Sequence, residues 1–218
     1  MVARLRAAGA LFIGKTNTPE FGLGSNTFNP VYGKTKNPYD LTRTCGGSSG
    51  GAAVALATRM LSISDGSDMM GSLRNPAAWN NVYGLRPTWG LVPPEPSGEI
   101  FLSQLSTLGP MARSPKDLAL LLDVQANHFD NKSYVLQSKS FLNFTAQPRM
   151  KGIKIGWLGD WGGTLTFEDE LLDLAQNALN EMSSLGAIIN DLKAPFAMND
   201  IWTSWCDLRA WQITNGLR

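Results

Sequence analysis

Residues 46–51 read Gly46-Gly47-Ser48-Ser49-Gly50-Gly51, and an alanine-rich run, Ala52 to Met60, follows at once. Six small residues in a row allow backbone torsions and close approaches that larger side chains forbid. The run after them predicts a largely buried helix. A second stretch, Asp65-Gly66-Ser67-Asp68-Met69-Met70-Gly71-Ser72-Leu73-Arg74-Asn75-Pro76-Ala77-Ala78, predicts a polar loop over 65–72 and a short helix opening at Asn75-Pro76. Taken alone, the glycine cluster is explained as well by a plain turn or an anion-binding helix start as by a catalytic role. The second stretch changes the balance. A serine behind a tight loop with free backbone N–H groups is what acyl transfer needs, a nucleophile beside an oxyanion hole.

Upstream, Met1 to Ala8 reads as the end of a helix stopped by Gly9, and Ala10 to Ile13 as a short buried strand. Thr18-Pro19-Glu20 has the cap and first-turn proline of a short helix, and Ser25 to Thr44 is turn-rich irregular chain. Downstream, Leu61 to Ser64 and Val82 to Leu85 are strand candidates, and Pro93 to Pro96 is loop. Ser114-Pro115 opens a helix to about Ala126, with Gln125 turned partly outward. Asn127 to Met150 is a polar linker or insertion between a core over 1–126 and a further part over 151–218. That last part alternates: strand Ile153 to Trp157, helix Glu168 to Leu185, strand Ala187 to Leu192, and a Trp-rich helix Asp200 to Thr214. The helix over 168–185 gathers Leu171, Leu174, Ala175, Ala178, Leu179 and Met182 on one face. Alternating strands and helices predict an α/β architecture.

Composition narrows the function classes. The 218 residues are 43% hydrophobic and 17% charged with a net charge of +1, which suits a folded core and offers no electrostatic footprint for nucleic acid or an anionic membrane. One histidine, His128, and two distant cysteines, Cys45 and Cys206, cannot build a structural zinc site and form no disulfide framework. That usage fits an intracellular, cytoplasmic chain. A homodimer is compatible with it. Gly9 to Thr16 matches the phosphate-loop pattern G-x-x-x-x-G-K-[ST], but its centre is Ala-Leu-Phe-Ile, and Asn17-Thr18-Pro19 follows where a helix should start, so nucleotide binding is not expected.

The two stretches together resemble the amidase signature family, serine hydrolases that cleave amide C–N bonds. Ser48 and Ser72 stand 24 apart, the spacing the family uses. Gly14-Lys15-Thr16-Asn17, Asn37-Pro38-Tyr39-Asp40 and Gly84-Leu85-Arg86-Pro87 extend the likeness over Val2 to Arg113, and more weakly to the end. The resemblance implies an α/β fold, a mixed β-sheet covered by helices on both faces and incomplete here. It implies a Ser-cisSer-Lys triad in which Ser72 is the nucleophile and Ser48, behind a cis peptide, relays the proton. It places the oxyanion hole at the N–H groups of Met69, Met70, Gly71 and Ser72. Ser49, Asp68 and Arg74 are expected to support this loop rather than react. No metal and no organic cofactor is implied, and the partner is a small-molecule amide, read as apolar or aryl from Met69, Met70 and Trp79.

Two departures stand out. The family's Gly-Gly before the nucleophile is Met70-Gly71 here, and methionine takes glycine-only torsions at a cost. The triad lysine of the family lies in a segment well upstream of the Gly14–Asn17 element, and only 47 residues precede Ser48. Lys15 belongs to the separate element and is not its replacement. The chain therefore reads as a truncated member that exposes sheet edges and core faces. Two other readings stay open: an inactive remnant or interaction module, and the glutamine-hydrolysing subunit of a tRNA-dependent amidotransferase.

Overall fold

In a computed structural model, residues 1–93, 102–126, 140–145 and 149–216 are described. The chain divides into two units, Met1–Ala146 and Gln147–Arg218. The first begins with α1 (Val2–Ala7), which buries Leu5, and a tiny hairpin of β1 (Phe28–Asn29) and β2 (Gly33–Lys34). The hairpin turns tightly because the Asn29 side-chain oxygen accepts the N–H groups of Val31 and Tyr32, at 3.0 and 2.8 Å, an Asx-type substitute for a backbone turn.

The alanine-rich run forms α2 (Gly50–Ala57), whose Ala52, Ala53 and Leu56 are buried. Then come β3 (Ile63–Asp68), α3 (Arg74–Trp79), β4 (Tyr83–Gly84), β5 (Thr107–Ala112) and α4 (Pro115–Ala126). The strands make an antiparallel sheet in the order β3-β5-β4, with Gly66 opposite Gly109 and Gly84 opposite Met111. Side chains alternate across a strand, so Asp68, Gly66, Gly109, Met111 and Gly84 share one face. On that face sit α2 and α3, and Ala52, Ala53, Leu56, Leu73, Ala77 and Met111 close into the core.

Leu73 shows why this face is rich in glycine. A Cβ added at Gly66 would lie 2.7 Å from Leu73 Cδ2, and one at Gly109 2.8 Å from Leu73 Cδ1. One at Gly84 would lie 2.7 Å from the Leu73 carbonyl oxygen. Three adjacent strands thus each present a bare backbone, and the segment after Ser72 lies directly on the sheet. Two polar devices fix the ends of helices. Ser114 Oγ accepts the Asp117 N–H at 3.1 Å and donates to the Asp117 carboxylate at 2.8 Å, closing the start of α4. Arg113 donates to the carbonyls of Leu56, at 3.1 Å, and Leu61, tying the end of α2 to the segment that leads into β3. A short helix α5 (Leu142–Thr145) is tied to α4 through the Asp123 carboxylate, which accepts the Phe141 N–H at 2.6 Å.

The second unit holds β6 (Lys154–Trp157), α6 (Leu171–Ser184), β7 (Ile188–Asp191) and α7 (Met198–Gly216). β6 and β7 are parallel and α6 joins them, a βαβ unit. The α/β reading therefore holds, with antiparallel pairing in one unit and parallel pairing in the other. No helix among the described residues is long and apolar enough to cross a membrane.

Several local expectations differ from the structure. Ala10 to Ile13 forms no strand, and Leu11 and Ile13 are 91% and 77% exposed. An extended run needs a neighbouring strand for its N–H and C=O groups, and none of the described residues pairs with this one. Thr18 caps no helix. Glu20–Gly22 makes a 3-10 turn whose Phe21 has φ 54°, which stops propagation. Residues 65–68 are strand rather than loop, because they pair with 107–110. Gln125 is fully buried, since α1 packs on α4 and Met1 Sδ accepts its amide at 3.7 Å. Helix α6 starts at Leu171, not Glu168, and of its apolar face Leu179 is buried while Leu174 is 71% exposed. Most of Asn127 to Met150, and Pro94 to Pro96, lie outside the described residues.

The packing around Leu73 yields a test. Gly66→Ala should lower the unfolding free energy by about 1–3 kcal/mol through overpacking, and Leu73→Ala by about 2–5 kcal/mol through a cavity. Urea titration of each variant measures both, and an effect under about 0.5 kcal/mol in either would show that the contact is slack.

Candidate active site

The loop that carries Ser48 is held by Thr27. Its N–H and Oγ1 both donate to the Gly46 carbonyl, at 3.1 and 2.8 Å, and Oγ1 accepts the Gly50 N–H at 3.2 Å. The Gly47–Ser48 peptide is cis, as the resemblance implies for the residue in the middle-serine place. Ser48 is half-buried and Ser49 is buried. Ser49 Oγ accepts the N–H of Ser67 and donates to its carbonyl, both at 3.3 Å. That pair of bonds pins the loop to β3. A Cβ at Gly66 would sit 2.6 Å from Ser49 Oγ, so the pinning requires glycine there.

The second loop, 69–73, folds around the buried carboxylate of Asp68. Oδ1 accepts the Gly71 N–H at 2.7 Å, and Oδ2 accepts the N–H groups of Leu73 and Arg74 at 3.2 and 3.4 Å. Arg74 adds a two-pronged ion pair, Nε to Oδ2 at 3.0 Å and Nη2 to Oδ1 at 3.1 Å. A carboxylate offers about four lone-pair sites, which these five donors share, so Asp68 is saturated. Other backbone groups close the loop. The Gly71 carbonyl accepts the Asn75 N–H at 2.7 Å, and the Ser72 carbonyl accepts the Ser49 N–H at 3.2 Å. This last bond joins the two serine loops directly.

Peptide-by-peptide accounting gives the free groups. Among the described residues the N–H groups of Met69, Met70 and Ser72 donate to no protein acceptor. The Gly71 N–H, expected among the oxyanion donors, is instead committed to Asp68. Gly71 has φ +97°, while Met70 is absent from the residues with positive φ. The family's Gly-Gly departure therefore falls where glycine torsions are not needed, and Met70 stands with its side chain half exposed beside the half-buried Ser72. Met69 is half-buried at the end of β3. Lys15 is exposed and, among the described residues, bonds neither to Ser48 nor to Ser72.

Arg86 has no role in the sequence reading beyond its place in the Gly84–Pro87 element. In the structure it donates from Nη1 to the Asp68 carbonyl at 2.5 Å, the Leu105 carbonyl at 3.0 Å and the Asp68 carboxylate at 3.2 Å. Sequence reasoning misses Thr27 in the same way. Neither carries a sequence signal beyond its place in a turn or short element. Their roles depend on partners 18 to 23 residues away.

Burial alone would push the Asp68 carboxyl up. The Arg74 guanidinium and the Gly71 and Leu73 N–H groups outweigh it and hold the carboxyl at about 2, against an ordinary 3.8. The folded state thus binds the proton more weakly than the unfolded chain does. The stabilisation is present above pH 3.8, and is lost as pH falls through about 2. It amounts to about 2 kcal/mol. Asp68→Asn should therefore cost about 3 kcal/mol at pH 7, the low end for a buried pair because Arg74 is half exposed. The gap to the unsubstituted chain should narrow as pH drops from 5 toward 2. Urea unfolding at several pH values measures this, and a gap independent of pH would contradict the assignment.

The amidase family model matches residues 1–206. The chain is 38% identical over 195 residues to a glutamyl-tRNA(Gln) amidotransferase subunit of Saccharolobus solfataricus, covering 88% of this chain and 40% of that one. A solved bacterial aryl acylamidase of the amidase signature enzymes is similar with a TM-score of 0.89 and 31% identity, over 99% of this chain and 44% of that one. Peptide amidase from Stenotrophomonas maltophilia is similar with a TM-score of 0.74 and 31% identity, over 88% of this chain and 41% of that one. The chain spans about 40% of the length of the curated relatives it matches. With its two serine loops joined and a family match over nearly its whole length, the chain belongs to the amidase signature family.

Proposed function

We propose that this chain carries the nucleophile and proton-relay part of an amide hydrolase, with residues 1–218 forming part of a single amidase domain. Ser72 Oγ attacks the amide carbon and forms the C–O bond of an acyl-enzyme. Its proton passes to Ser48 Oγ, which gives up its own to a base. The base returns a proton to the departing nitrogen, so the C–N bond breaks to release amine or ammonia. Water then attacks the ester by the reverse relay and frees the acid. The N–H groups of Met69, Met70 and Ser72 are the donors for the oxyanion. A donor of this kind contributes about 3–4 kcal/mol to lowering the barrier. The observation that carries the reading is the bond from the Ser49 N–H to the Ser72 carbonyl at 3.2 Å, which seats the two serine loops against each other.

The substrate class that fits best is a small apolar or aryl amide, because Met70, two residues before Ser72, and Trp79, at the end of α3, are both half exposed. The 38% identity to an amidotransferase polypeptide favours a second reading, hydrolysis of glutamine to supply ammonia.

A fluorophosphonate probe tests the nucleophile. Labelling should disappear in Ser72→Ala and slow about 10²–10⁴-fold in Ser48→Ala, the usual range for a lost proton-transfer group. No labelling of a sample shown to be folded by circular dichroism would mean an inactive chain. Comparing release of ammonia from glutamine with release of aniline from an aryl amide separates the two substrate readings.

A further inference from the structure

We propose that Arg86 is a positioning residue for the acyl-transfer loop, setting the direction in which the N–H groups of Met69 and Met70 point. This rests on the reading of Ser72 as nucleophile. A trans peptide is planar, and its C=O and N–H point in opposite directions. Whatever holds the carbonyl of one residue therefore aims the N–H of the next the other way. Arg86 Nη1 donates to the Asp68 carbonyl at 2.5 Å and reaches the Met69 carbonyl at 3.4 Å. Both contacts turn the following N–H groups, of Met69 and Met70, away from the guanidinium. The same nitrogen bonds the Leu105 carbonyl at 3.0 Å. The loop is thereby tied to the segment leading into the central strand.

Arg74 cannot take over. Its Nε and Nη2 are committed to the two Asp68 carboxylate oxygens. The remaining peptides of the loop are held by other groups. The Gly71 N–H is held by Asp68, the Gly71 carbonyl by Asn75 and the Ser72 carbonyl by Ser49. Arg86 is the side chain that contacts the carbonyls of the first two. Without it the 68–69 and 69–70 peptides can turn over. A turned peptide presents a carbonyl oxygen to the developing oxyanion, which repels where an N–H would attract. The effect falls on the transition state rather than on substrate binding. A rigid planar fork holds such a direction better than the compact ammonium of lysine.

The test is the rate of fluorophosphonate labelling. In that reaction Ser72 Oγ bonds to phosphorus, fluoride leaves, and the Ser72 proton goes to solvent through the relay. Dependence on probe concentration separates the encounter constant KI from the maximal rate kinact. Rates are normalised to the folded fraction from circular dichroism, which removes any loss due to unfolding alone. Arg86→Met should lower kinact about ten- to hundredfold, with KI within about threefold, and Arg86→Lys should fall between. The inference is overturned if kinact stays within about threefold in folded variants, if the loss lies in KI, or if lysine restores nothing relative to methionine. If neither variant folds, Arg86 is a fold determinant and the positioning role fails. Labelling that depends on Ser72 but not on Arg86 sinks only this inference, whereas no labelling of the unsubstituted chain sinks the reading of Ser72 and this inference with it.

Discussion

The buried carboxylate of Asp68 is the constraint on which the site depends. It is fully buried at the end of a strand, and burial of an unpaired charge would be prohibitive. The chain meets that cost by turning its own backbone inward. The N–H groups of Gly71, Leu73 and Arg74 converge on the two oxygens, and the guanidiniums of Arg74 and Arg86 balance the charge. Satisfying one anion dictates the path of the next six residues. Ser72 sits in the middle of that path, held by its neighbours rather than by bonds of its own side chain.

The sheet beneath supplies the second requirement. A loop wrapped around a carboxylate needs a surface on which to lie. Glycines in β3, β5 and β4 let Leu73 and its carbonyl come down onto bare backbone. Leu73 then anchors the loop in the core formed with α2 and α3. Ser49 ties the other serine loop to the same strand, and the Ser49 N–H reaches across to Ser72. The two loops are thus placed by one strand, β3, which bonds one through Ser67 and ends in the carboxylate that shapes the other.

The same backbone geometry explains how methionine fits at position 70. Of the two positions before Ser72, only 71 takes a left-handed backbone, and there a Cβ would lie 2.7 Å from the Asn75 side chain. Position 70 has ordinary torsions, so its side chain is free to vary. Backbone geometry is held where the carboxylate needs it and released one residue earlier.

Much of this was legible in the residues. The serine loops, a helix in the alanine-rich run (Gly50–Ala57 rather than 52–60) and the αβ alternation after 150 follow from local composition and motif spacing, and the supporting pair Asp68 and Arg74 from the family resemblance. Glycine, serine, alanine and periodic leucine act through torsions and faces that a short window contains. What the sequence could not supply were the pairings. The strand Thr107–Ala112 carries Gly109 and Pro110, which read as breakers, yet it is the centre of its sheet because β3 and β4 flank it. Ala10 to Ile13 looked like core and is exposed, since an apolar run does not specify its partner. Arg86, Thr27 and the diversion of the Gly71 N–H onto Asp68 each depend on one bond geometry in space. Sequence by itself determined which residues make up the two serine loops; only the tertiary structure decided which of their N–H groups are committed and which are left over, because hydrogen bonds are directional and depend on where partners lie in space.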